Sequence, residues 1–387
     1  MNDDVVIAGL GMTEVGEHWE INLRDLALMA IEEAQSDADR LKPTTMFVAN
    51  MLAPLLSDQA HLGALLADYA GLRGIEASTV EAGGASGGAA LRMGYLAVAS
   101  GMADSVLVLG VEKMTDQVGT PVEAALAAGS DADYEAAMGL TPNAQAALLM
   151  RRYMHEYHVG HEAFAGFPVT AHANGAPNPK AMFRSPISVD TYNKSGPVSD
   201  PLNMWDIAPT ADGAAAVLLT RRELLPPGYP HPLVRITGSA MANDRLALHD
   251  RSDILAFDAA RWSVERACSQ ANIQVGDVDM FELWDAYSIF AALSLEAAGF
   301  ASRGEGWKLA QENKIGRDGL LPVSTFGGLK ARGNPGGATG VYQVVEAALQ
   351  LRGQAGGNQL ANVERALVQS LGGPASTAVT HVLEVIN

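Results

Sequence analysis

The stretch from Val80 to Arg92 constrains the fold more than any other part of the sequence. It reads Val-Glu-Ala-Gly-Gly-Ala-Ser-Gly-Gly-Ala-Ala-Leu-Arg and follows a β-branched pair, Thr79 and Val80. Glycines allow close backbone approach and positive φ angles, and a helix of Ala, Gly and Leu with few charges is typically buried. The pattern therefore predicts a strand, a tight turn and a buried helix. The N-terminus of such a helix offers unpaired N–H groups, which suit a nucleophile or an oxyanion.

A turn of this kind often presents a catalytic thiol, but Gly84 occupies the position where we would expect one. The chain has one cysteine, Cys268, in an amphipathic helical pattern at 260–268. We therefore expect a buried, inert thiol there and no disulfide framework.

Charge and hydropathy exclude two classes of partner. Across 387 residues, 26 Lys and Arg stand against 44 Asp and Glu, which leaves a net charge of −18. This balance argues against nucleic acid, because phosphate binding needs clustered positive charge. No apolar run approaches the roughly 20 residues of a membrane span, and no leader precedes Val5, so we expect a cytoplasmic protein without membrane attachment.

Short apolar runs alternate with helical patterns along the first part of the chain. This alternation predicts an α/β fold with a parallel sheet covered by helices on both faces. The region from about 115 to 205 breaks the pattern and is too long for a simple connection, so we interpret it as an inserted loop domain that covers a ligand. The predicted strands lie at 5–9, 46–50, 105–110 and 212–219, and the predicted helices at 22–33 and 61–69.

The second half of the chain resembles the first. The segment Gly83–Gly87 resembles Gly336–Gly340, and each leads into an apolar helix. The predicted strand at 106–109 likewise resembles the segment at 366–369. Agreement in sequence order indicates two copies of one α/β unit. We therefore predict an N-terminal half at 1–232, which contains the insertion, and a C-terminal half at 233–387.

Six segments together resemble the signatures of the thiolase superfamily, and within it the sterol-carrier-protein-type and archaeal thiolases. The resemblance runs almost end to end. It implies two similar halves in a five-layer αβαβα core, a homodimer or dimer of dimers, a role in lipid metabolism, and a coenzyme A thioester as ligand with no tightly bound cofactor. The segments are 80–91, 110–114, 212–215, 282–288, 327–335 and 372–373.

Four positions that carry chemistry in that family differ here. Gly84 stands where the family has its nucleophilic Cys, and Trp284-Asp285-Ala286-Tyr287 replaces His-Asp-(Cys/Ala)-Phe. Asn334 replaces the His of Gly-His-Pro, and Ser370 stands where other branches have a second Cys. Glycine has no side chain to acylate, so we expect no ordinary thiolysis.

The remaining groups still suit a thioester. The N–H groups of Gly84 and Gly372 are candidates for an oxyanion hole, and Asn334 and Trp284 can donate hydrogen bonds to a thioester carbonyl. The alternative for Trp284 is that it only fills space vacated by ligand or catalytic side chains.

Two further residues are candidate acid/base groups, and one is a candidate polar group. Asp285 and Tyr287 could transfer protons, although Asp285 could instead hold a neighbouring loop and Tyr287 could fill vacated space. Ser370 is more typical of a polar turn residue than of a nucleophile.

Basic residues of the insertion are candidates for binding the coenzyme A phosphates, with solvated surface charge as the alternative. No metal is expected, because His155, His158 and His161 lack a ligand pattern and are more typical of a solvated face. The predicted coenzyme A contacts are Met138, Arg151, Arg152, Lys180 and Arg184.

Three functions remain open at this point. The first is an enzyme that makes or breaks a carbon–carbon bond next to a thioester by retro-aldol or related chemistry. The second is a non-catalytic subunit that scaffolds or channels acyl-CoA, with a small OB-fold acyl-CoA-binding protein or another condensing enzyme as partner. The third is an acyltransferase with an unidentified nucleophile, for which Ser86 is the candidate.

Overall fold

The computed structural model describes residues 4–386, in which strands and helices alternate through both halves of the chain. The strands are β1 (Val5–Met12), β2 (Thr45–Ala49), β3 (Glu76–Val80), β4 (Ser105–Glu112), β5 (Pro197–Ser199), β6 (Leu202–Asn203), β7 (Gly213–Arg221), β8 (Leu233–Asn243), β9 (Met280–Glu282), β10 (Arg365–Gly372) and β11 (Thr377–Ile386). The α-helices are α1 (Leu23–Asp37), α2 (Ala53–Leu56), α3 (Leu62–Tyr69), α4 (Ser86–Ala99), α5 (Thr120–Ala127), α6 (Pro142–Tyr157), α7 (Gly166–Gly175), α8 (Val189–Asn193), α9 (Asp258–Ala271), α10 (Ser288–Ala298), α11 (Gly306–Gln311), α12 (Gly328–Ala331) and α13 (Thr339–Leu351).

The first helix starts where the sequence predicts and runs one turn further. The side-chain oxygen of Asn22 accepts hydrogen bonds from the N–H groups of Arg24 and Asp25, both at 3.0 Å. This N-cap satisfies donors that the first turn leaves free. The helix ends at Asp37 rather than Glu33 because its apolar face, which includes Ala34, stays buried against the sheet.

The prediction of a parallel sheet is wrong. Within residues 4–386 the large sheet has the strand order β3-β2-β4-β7-β1-β8-β11-β10-β9. Only the β2–β3, β2–β4 and β9–β10 pairs are parallel, and the other neighbours are antiparallel. Strands β10 and β11 are joined by a short turn, which permits only antiparallel pairing, whereas parallel neighbours need a longer crossover.

The internal repeat is visible in the sheet. The order β2-β4-β7-β1 of the first half matches β9-β10-β11-β8 in the second, with the same sequence of parallel and antiparallel pairs. The two series meet where β1 pairs with β8, at Val6 with Arg235 and Ile7 with Val234. The two segments predicted to be equivalent strands, 106–109 and 366–369, lie in β4 and β10. The predicted boundary at 232–233 falls directly before β8 and stays a prediction.

The two glycine-rich segments meet at the centre of the molecule. Helices α4 and α13 cross so closely that a Cβ on Gly87 would lie 2.7 Å from the Cα of Gly340, and a Cβ on Gly340 would lie 2.5 Å from the N of Gly88. Buried apolar groups surround this helix pair, and separate groups pack α1 against the first half and α9 and α10 against the second. The structure thus confirms the predicted five-layer arrangement of two similar α/β halves. Cys268 is buried in α9, and burial raises the pKa of its thiol.

The region from about 115 to 205 contains α5 to α8 and the small β5–β6 pair. It packs on α10, where the hydroxyl of Tyr153 donates to Glu296 Oε1 at 2.6 Å and Phe164 and Phe167 join the same buried group as Phe290. These contacts place α6 beside the turns of the core, and α5 is placed there by packing Val122 and Ala125 against Leu52 and Leu56. In the part of the chain described, no helix has both the length and the apolar composition that a membrane crossing requires.

Candidate active site

A cavity of about 140 Å³ lies where the turns of both halves meet the inserted region. The glycine-rich turn before α4, the loop between β9 and α10, and the loop before α13 form its floor. The inserted helices α5 and α6 close it from the other side. The polar residues in its lining are Glu123, Ser130, Asn143, Gln145, Thr210, Trp284, Tyr287 and Asn334, and the lining also includes Gly84 and the positive-φ glycines Gly83, Gly336 and Gly373.

The indole of Trp284 occupies the space that a side chain at position 84 would need. A Cβ on Gly84 would lie 2.5 Å from Cζ2 of Trp284 and 2.6 Å from the carbonyl oxygen of Leu371. Real Cβ atoms do not approach other atoms so closely, and Trp284 itself is only 5% exposed. Position 84 is therefore without a side chain and closed to one.

Two glycine turns support this floor from behind. Gly83 and Gly373 have φ angles of +58° and +56°, a region that favours glycine. A Cβ on Gly372 would lie 2.5 Å from the carbonyl oxygen of Ala82, so the two turns are in direct contact. The N–H groups of Gly84 and Gly372 stay predicted oxyanion-hole donors.

The hydroxyl of Ser86 is used inside the same turn. It donates to the carbonyl oxygen of Gly83 at 2.6 Å and accepts from the N–H of Ala82 at 2.9 Å. The residue is fully buried and does not line the cavity. Its contacts are those of a turn-stabilising residue.

Tyr287 lines the cavity, and its hydroxyl group is uncharged. It donates a hydrogen bond to Asn143 Oδ1 at 2.8 Å, and its ring packs edge-on against Phe290 at 4.8 Å. Burial, and to a smaller extent the negative charge of Glu123, raises the pKa of Tyr287 above its usual value. The hydroxyl therefore stays protonated at neutral pH and can hydrogen-bond a ligand oxygen.

Asn334 is fixed by its backbone and by one side-chain bond. Its N–H donates to the carbonyl oxygen of Pro209 at 3.1 Å, and its side-chain Oδ1 accepts from Thr339 Oγ1 at 3.1 Å. The Oδ1 is thus engaged, which leaves the Nδ2 group for a ligand. Among the described residues, none accepts a hydrogen bond from this Nδ2 or from Nε1 of Trp284.

Asp285 and Ser370 lie outside the cavity lining. Asp285 Oδ1 accepts from the N–H of Leu329 at 2.7 Å, and burial raises the pKa of this carboxyl. Ser370 Oγ donates to Gln343 Oε1 at 3.0 Å, next to the α4–α13 crossing. Both side chains hold neighbouring segments in place, so the structure does not bring them together with Trp284, Tyr287 and Asn334.

Two signature carboxylates stabilise the frame instead of lining the cavity. Glu112 is fully buried and accepts hydrogen bonds from the backbone N–H groups of Met51, Leu52 and Gly337 at 2.9–3.1 Å. It thereby links the two halves, and burial raises its pKa to about 7. Asp212 accepts from the N–H of Met114 at 2.6 Å and from further donors, which hold its pKa below its usual value.

The predicted coenzyme A contacts are scattered. Arg184 lines a second cavity of about 660 Å³ that shares Asn143, Ile207 and Ala208 with the first. Lys180 instead binds Glu33 at 3.0 Å on another face.

The other three predicted contacts lie elsewhere. Arg151 is paired with Asp200, Arg152 binds Glu156 at 2.8 Å, and Met138 is 79% exposed. The structure thus brings only Arg184 next to the candidate active site.

The histidines at 155, 158 and 161 do not gather around a common point. His161 Nε2 lies 2.7 Å from Asp206 Oδ2 and 2.8 Å from the hydroxyl of Tyr192. In residues 4–386, no group of three or more His, Cys, Asp or Glu side chains is arranged to hold a metal ion.

Glu123, Asn143 and Gln145 line the cavity and were missed by the sequence reasoning. They lie about 140–160 positions before Trp284, inside the inserted region. A usable local signal is Thr141, whose Oγ1 caps α6 by accepting from the N–H of Ala144 at 3.2 Å. The cap fixes the start of α6 and hence where Asn143 and Gln145 lie, but it does not reveal which cavity they face.

Comparisons with known proteins agree with this geometry. The family models "Thiolase, N-terminal domain" and "Thiolase C-terminal domain-like" match residues 5–223 and 240–385. The acetyl-CoA acetyltransferase of Methanothermobacter thermautotrophicus is 41% identical, over 98% of this chain and 99% of that protein. Sterol carrier protein 2 of Oryctolagus cuniculus is 28% identical, over 97% of this chain and 71% of that protein.

A solved structure, the Ltp2-ChsH2(DUF35) aldolase, has the same fold, with a TM-score of 0.85, 24% identity, and coverage of 99% of this chain and 98% of that one. Together, the two-half fold and its glycine-lined cavity define a thiolase-type protein. The chain belongs to the thiolase family, whose members use coenzyme A thioesters as substrates.

Proposed function

We propose that this protein cleaves or forms a carbon–carbon bond next to a coenzyme A thioester by retro-aldol chemistry, without an acyl-enzyme intermediate. One observation carries the proposal. The indole of Trp284 fills the space at Gly84 where a nucleophilic side chain would begin, while the cavity next to it keeps hydrogen-bond donors. Covalent acyl transfer needs the missing group, whereas enolate chemistry needs only donors and a proton acceptor.

The reaction is written on a 3-hydroxyacyl thioester. The 3-hydroxyl loses its proton and becomes a carbonyl, and the C2–C3 bond breaks with its electron pair moving into the thioester as an enolate. The enolate oxygen then needs N–H donors, which Trp284 Nε1 and Asn334 Nδ2 supply on the cavity wall. Protonation at C2 gives acetyl-CoA and an aldehyde or ketone, so no oxidant or free coenzyme A is consumed.

The second cavity is the proposed place for the coenzyme A part of the ligand. It opens from the first and has an apolar lining that includes Phe183 and Trp205. Arg184 and Lys330 on its wall add positive charge, although burial lowers the pKa of Lys330 to about 8. Positive groups at this end suit an anionic ligand in a chain that is otherwise strongly acidic.

Self-association is also part of the proposal. Strand β3 forms one edge of the large sheet in the described residues, and most of its side chains are exposed. An uncovered edge strand can pair with a second copy of the chain. Light scattering of the purified protein distinguishes a homodimer from a dimer of dimers and from a monomer.

A non-catalytic role is the second candidate, and the simultaneous departures at Gly84, Trp284, Asn334 and Ser370 favour it. An acyltransferase, as the names of the archaeal relatives suggest, would need a nucleophile, and the hydroxyl of Ser86 is already engaged in its turn.

Mass spectrometry with acyl-, 3-oxoacyl- and 3-hydroxyacyl-CoA compounds separates these functions. We expect acetyl-CoA and a carbonyl product from 3-hydroxyacyl-CoA without added coenzyme A. Product that requires free coenzyme A contradicts the retro-aldol proposal and supports acyl transfer. No turnover of any compound supports the non-catalytic subunit, and the search then moves to a co-purifying OB-fold protein or condensing enzyme.

A further inference from the structure

Two polar residues of the inserted region, Glu123 and Gln145, line the cavity. Glu123 lies in the first turn of α5, and its partly buried carboxylate has no hydrogen-bond or ion-pair partner among the described residues. It is also the one carboxylate among the described residues that line this cavity. Glu123 and Tyr287 both line the cavity, and after burial the negative charge of Glu123 also contributes to the raised pKa of Tyr287.

Gln145 lies in α6 on the same side of the cavity. It is only 2% exposed, and its Nε2 group has no hydrogen-bond partner within residues 4–386. A buried N–H donor without an acceptor is costly, and buried polar groups in native proteins are nearly always paired. An acceptor on a bound ligand would complete the pairing.

We propose that Glu123 is the catalytic proton-transfer residue of this cavity, and that Gln145 Nε2 donates a hydrogen bond to the thioester oxygen of the ligand. The inference rests on the proposed function and assigns the proton acceptor that the retro-aldol reaction requires. The substrate class is a 3-hydroxyacyl thioester.

The carboxylate of Glu123 takes the proton of the 3-hydroxyl, and the O–H electron pair becomes the new C=O bond. The C2–C3 bond breaks, and its electrons move to the thioester oxygen, where Gln145 Nε2 meets the developing charge. Protonated Glu123 then returns the proton to C2 and is again a carboxylate. The cycle balances without any further reactant.

The other acid/base candidates fit this step less well. Tyr287 is neutral at physiological pH, and its proton is engaged with Asn143 Oδ1. Asp285 lies outside the cavity lining and accepts from the N–H of Leu329. Glu123 lines the cavity with no competing contact, as a base that must reach a substrate proton requires.

The test is Glu123→Gln, which keeps the shape of the side chain but removes the proton acceptor. We measure cleavage of 3-hydroxybutyryl-CoA and, separately, the exchange of the C2 protons of acetyl-CoA with D₂O by mass spectrometry. Both rates should fall by about 100-fold or more, while KM changes by less than about 3-fold. Glu123→Asp should retain part of the activity.

The control variant is Asp133→Asn, which removes an exposed carboxylate of the same inserted region and should leave both rates unchanged. Gln145→Leu should lower both rates without affecting the C2 proton acceptor. Should Glu123→Gln fail to fold, Glu123→Ala serves as the second variant. The carboxylate of Glu123 has no side-chain partner to lose, so either variant should lose only the favourable negative charge at the N-terminus of α5, at most about 1 kcal/mol of stability.

The two readouts separate this inference from the proposed function. Cleavage that is equally fast in wild type and Glu123→Gln overturns the role of Glu123 and leaves the retro-aldol proposal standing. Proton exchange that depends on Glu123, in a wild type that cleaves nothing, supports Glu123 and overturns the retro-aldol proposal. Neither cleavage nor exchange in the wild type overturns both.

Discussion

Gly84 and Trp284 are complementary: the indole of Trp284 lies where the side chain of residue 84 would be, with Cζ2 only 2.5 Å from an ideal Cβ. The two positions belong to different halves of the chain and are 200 residues apart. The residue at each of the two positions is therefore constrained by the residue at the other. The two halves of the chain thus shape this part of the cavity together.

The pair predicts the outcome of restoring the thiol. Gly84→Cys alone should destabilise the protein by about 1–3 kcal/mol, because the new Cβ overlaps the indole in a packed site. It should show no coenzyme A-dependent thiolysis of acetoacetyl-CoA. Trp284→Ala is itself destabilising because it empties a buried site, but the double variant should be more stable than the sum of the two single effects, since the ring that overlaps the new Cβ is gone. Urea unfolding of both single variants and the double variant measures the coupling between the two positions.

Additive effects on the free energy of unfolding in this double-mutant cycle would contradict the steric overlap between positions 84 and 284. If the double variant equals the sum of the singles, Trp284 does not occupy the space of residue 84. If Gly84→Cys alone catalyses thiolysis, the remaining site is intact, and Trp284 and Asn334 are compatible with ordinary thiolase chemistry.

The hydroxyl of Tyr287 provides a second prediction. It donates to Asn143 Oδ1 at 2.8 Å, and both residues line the cavity. Tyr287→Phe should lower kcat for 3-hydroxyacyl-CoA cleavage by about 10-fold, because Asn143 on the cavity wall loses the hydrogen bond that positions it.

Tyr134→Phe is the matched control for this variant. Tyr134 is 69% exposed and lies outside the cavity, so losing its hydroxyl should change neither kcat nor KM. Equal kinetics of Tyr287→Phe and wild type would assign Tyr287 to filling space.

Local patterns in the sequence were sufficient for the elements and the family, but not for strand direction. Asn22, the glycine runs at 83–87 and 336–340 and the apolar strands each act on their immediate neighbours, and the structure has all of them. The direction of β7 against β1 and β4 depends on how the chain returns after the insertion. That path is set by packing between distant segments, which periodicity does not encode.

The candidate site was predictable only where it coincided with a signature. Gly84, Trp284, Tyr287 and Asn334 meet at one cavity, while Asp285 faces the loop at Leu329 instead. Adjacent residues in an extended segment point to opposite sides, so Asp285 and Trp284 cannot both face the cavity. Which of the two does so depends on the neighbouring loop at Leu329, which binds Asp285. Glu123 and Gln145 carry no motif. Helix α5 reaches the cavity by packing on α2, and α6 by packing on α10, and both contacts join segments that are far apart in the sequence.

The α4–α13 crossing supplies a third prediction. A Cβ on Gly87 would lie 2.6 Å from the N of Val341 and 2.7 Å from the Cα of Gly340, and neither backbone atom can move without shifting a helix. Gly87→Ala should therefore lower the free energy of unfolding by roughly 2–3 kcal/mol, the cost of overpacking a buried contact. Gly276→Ala is the control, because its Cβ would enter open space. Similar urea midpoints for the two variants would contradict the close crossing.

His381 supplies a prediction about pH. It is fully buried on β11, its Nε2 lies 3.1 Å from the carbonyl oxygen of Gly88, and burial lowers its pKa to about 4. An unfolded histidine has a pKa of about 6.5, so the unfolded state binds more protons between the two values. The stability that neutral His381 contributes is thus present above about pH 6.5 and is lost as the pH falls toward 4.

The comparison variant is His381→Gln, which keeps an N–H donor for Gly88 but does not titrate in this range. The difference in unfolding free energy between wild type and variant should shift by roughly 3 kcal/mol against the wild type from pH 7 to pH 4. The comparison cancels the opposite trend of buried Glu112, whose raised pKa stabilises the fold below about pH 4.5 and ceases to do so as the pH rises through 7. A constant difference across this range would mean that His381 is solvated or already charged in the native protein.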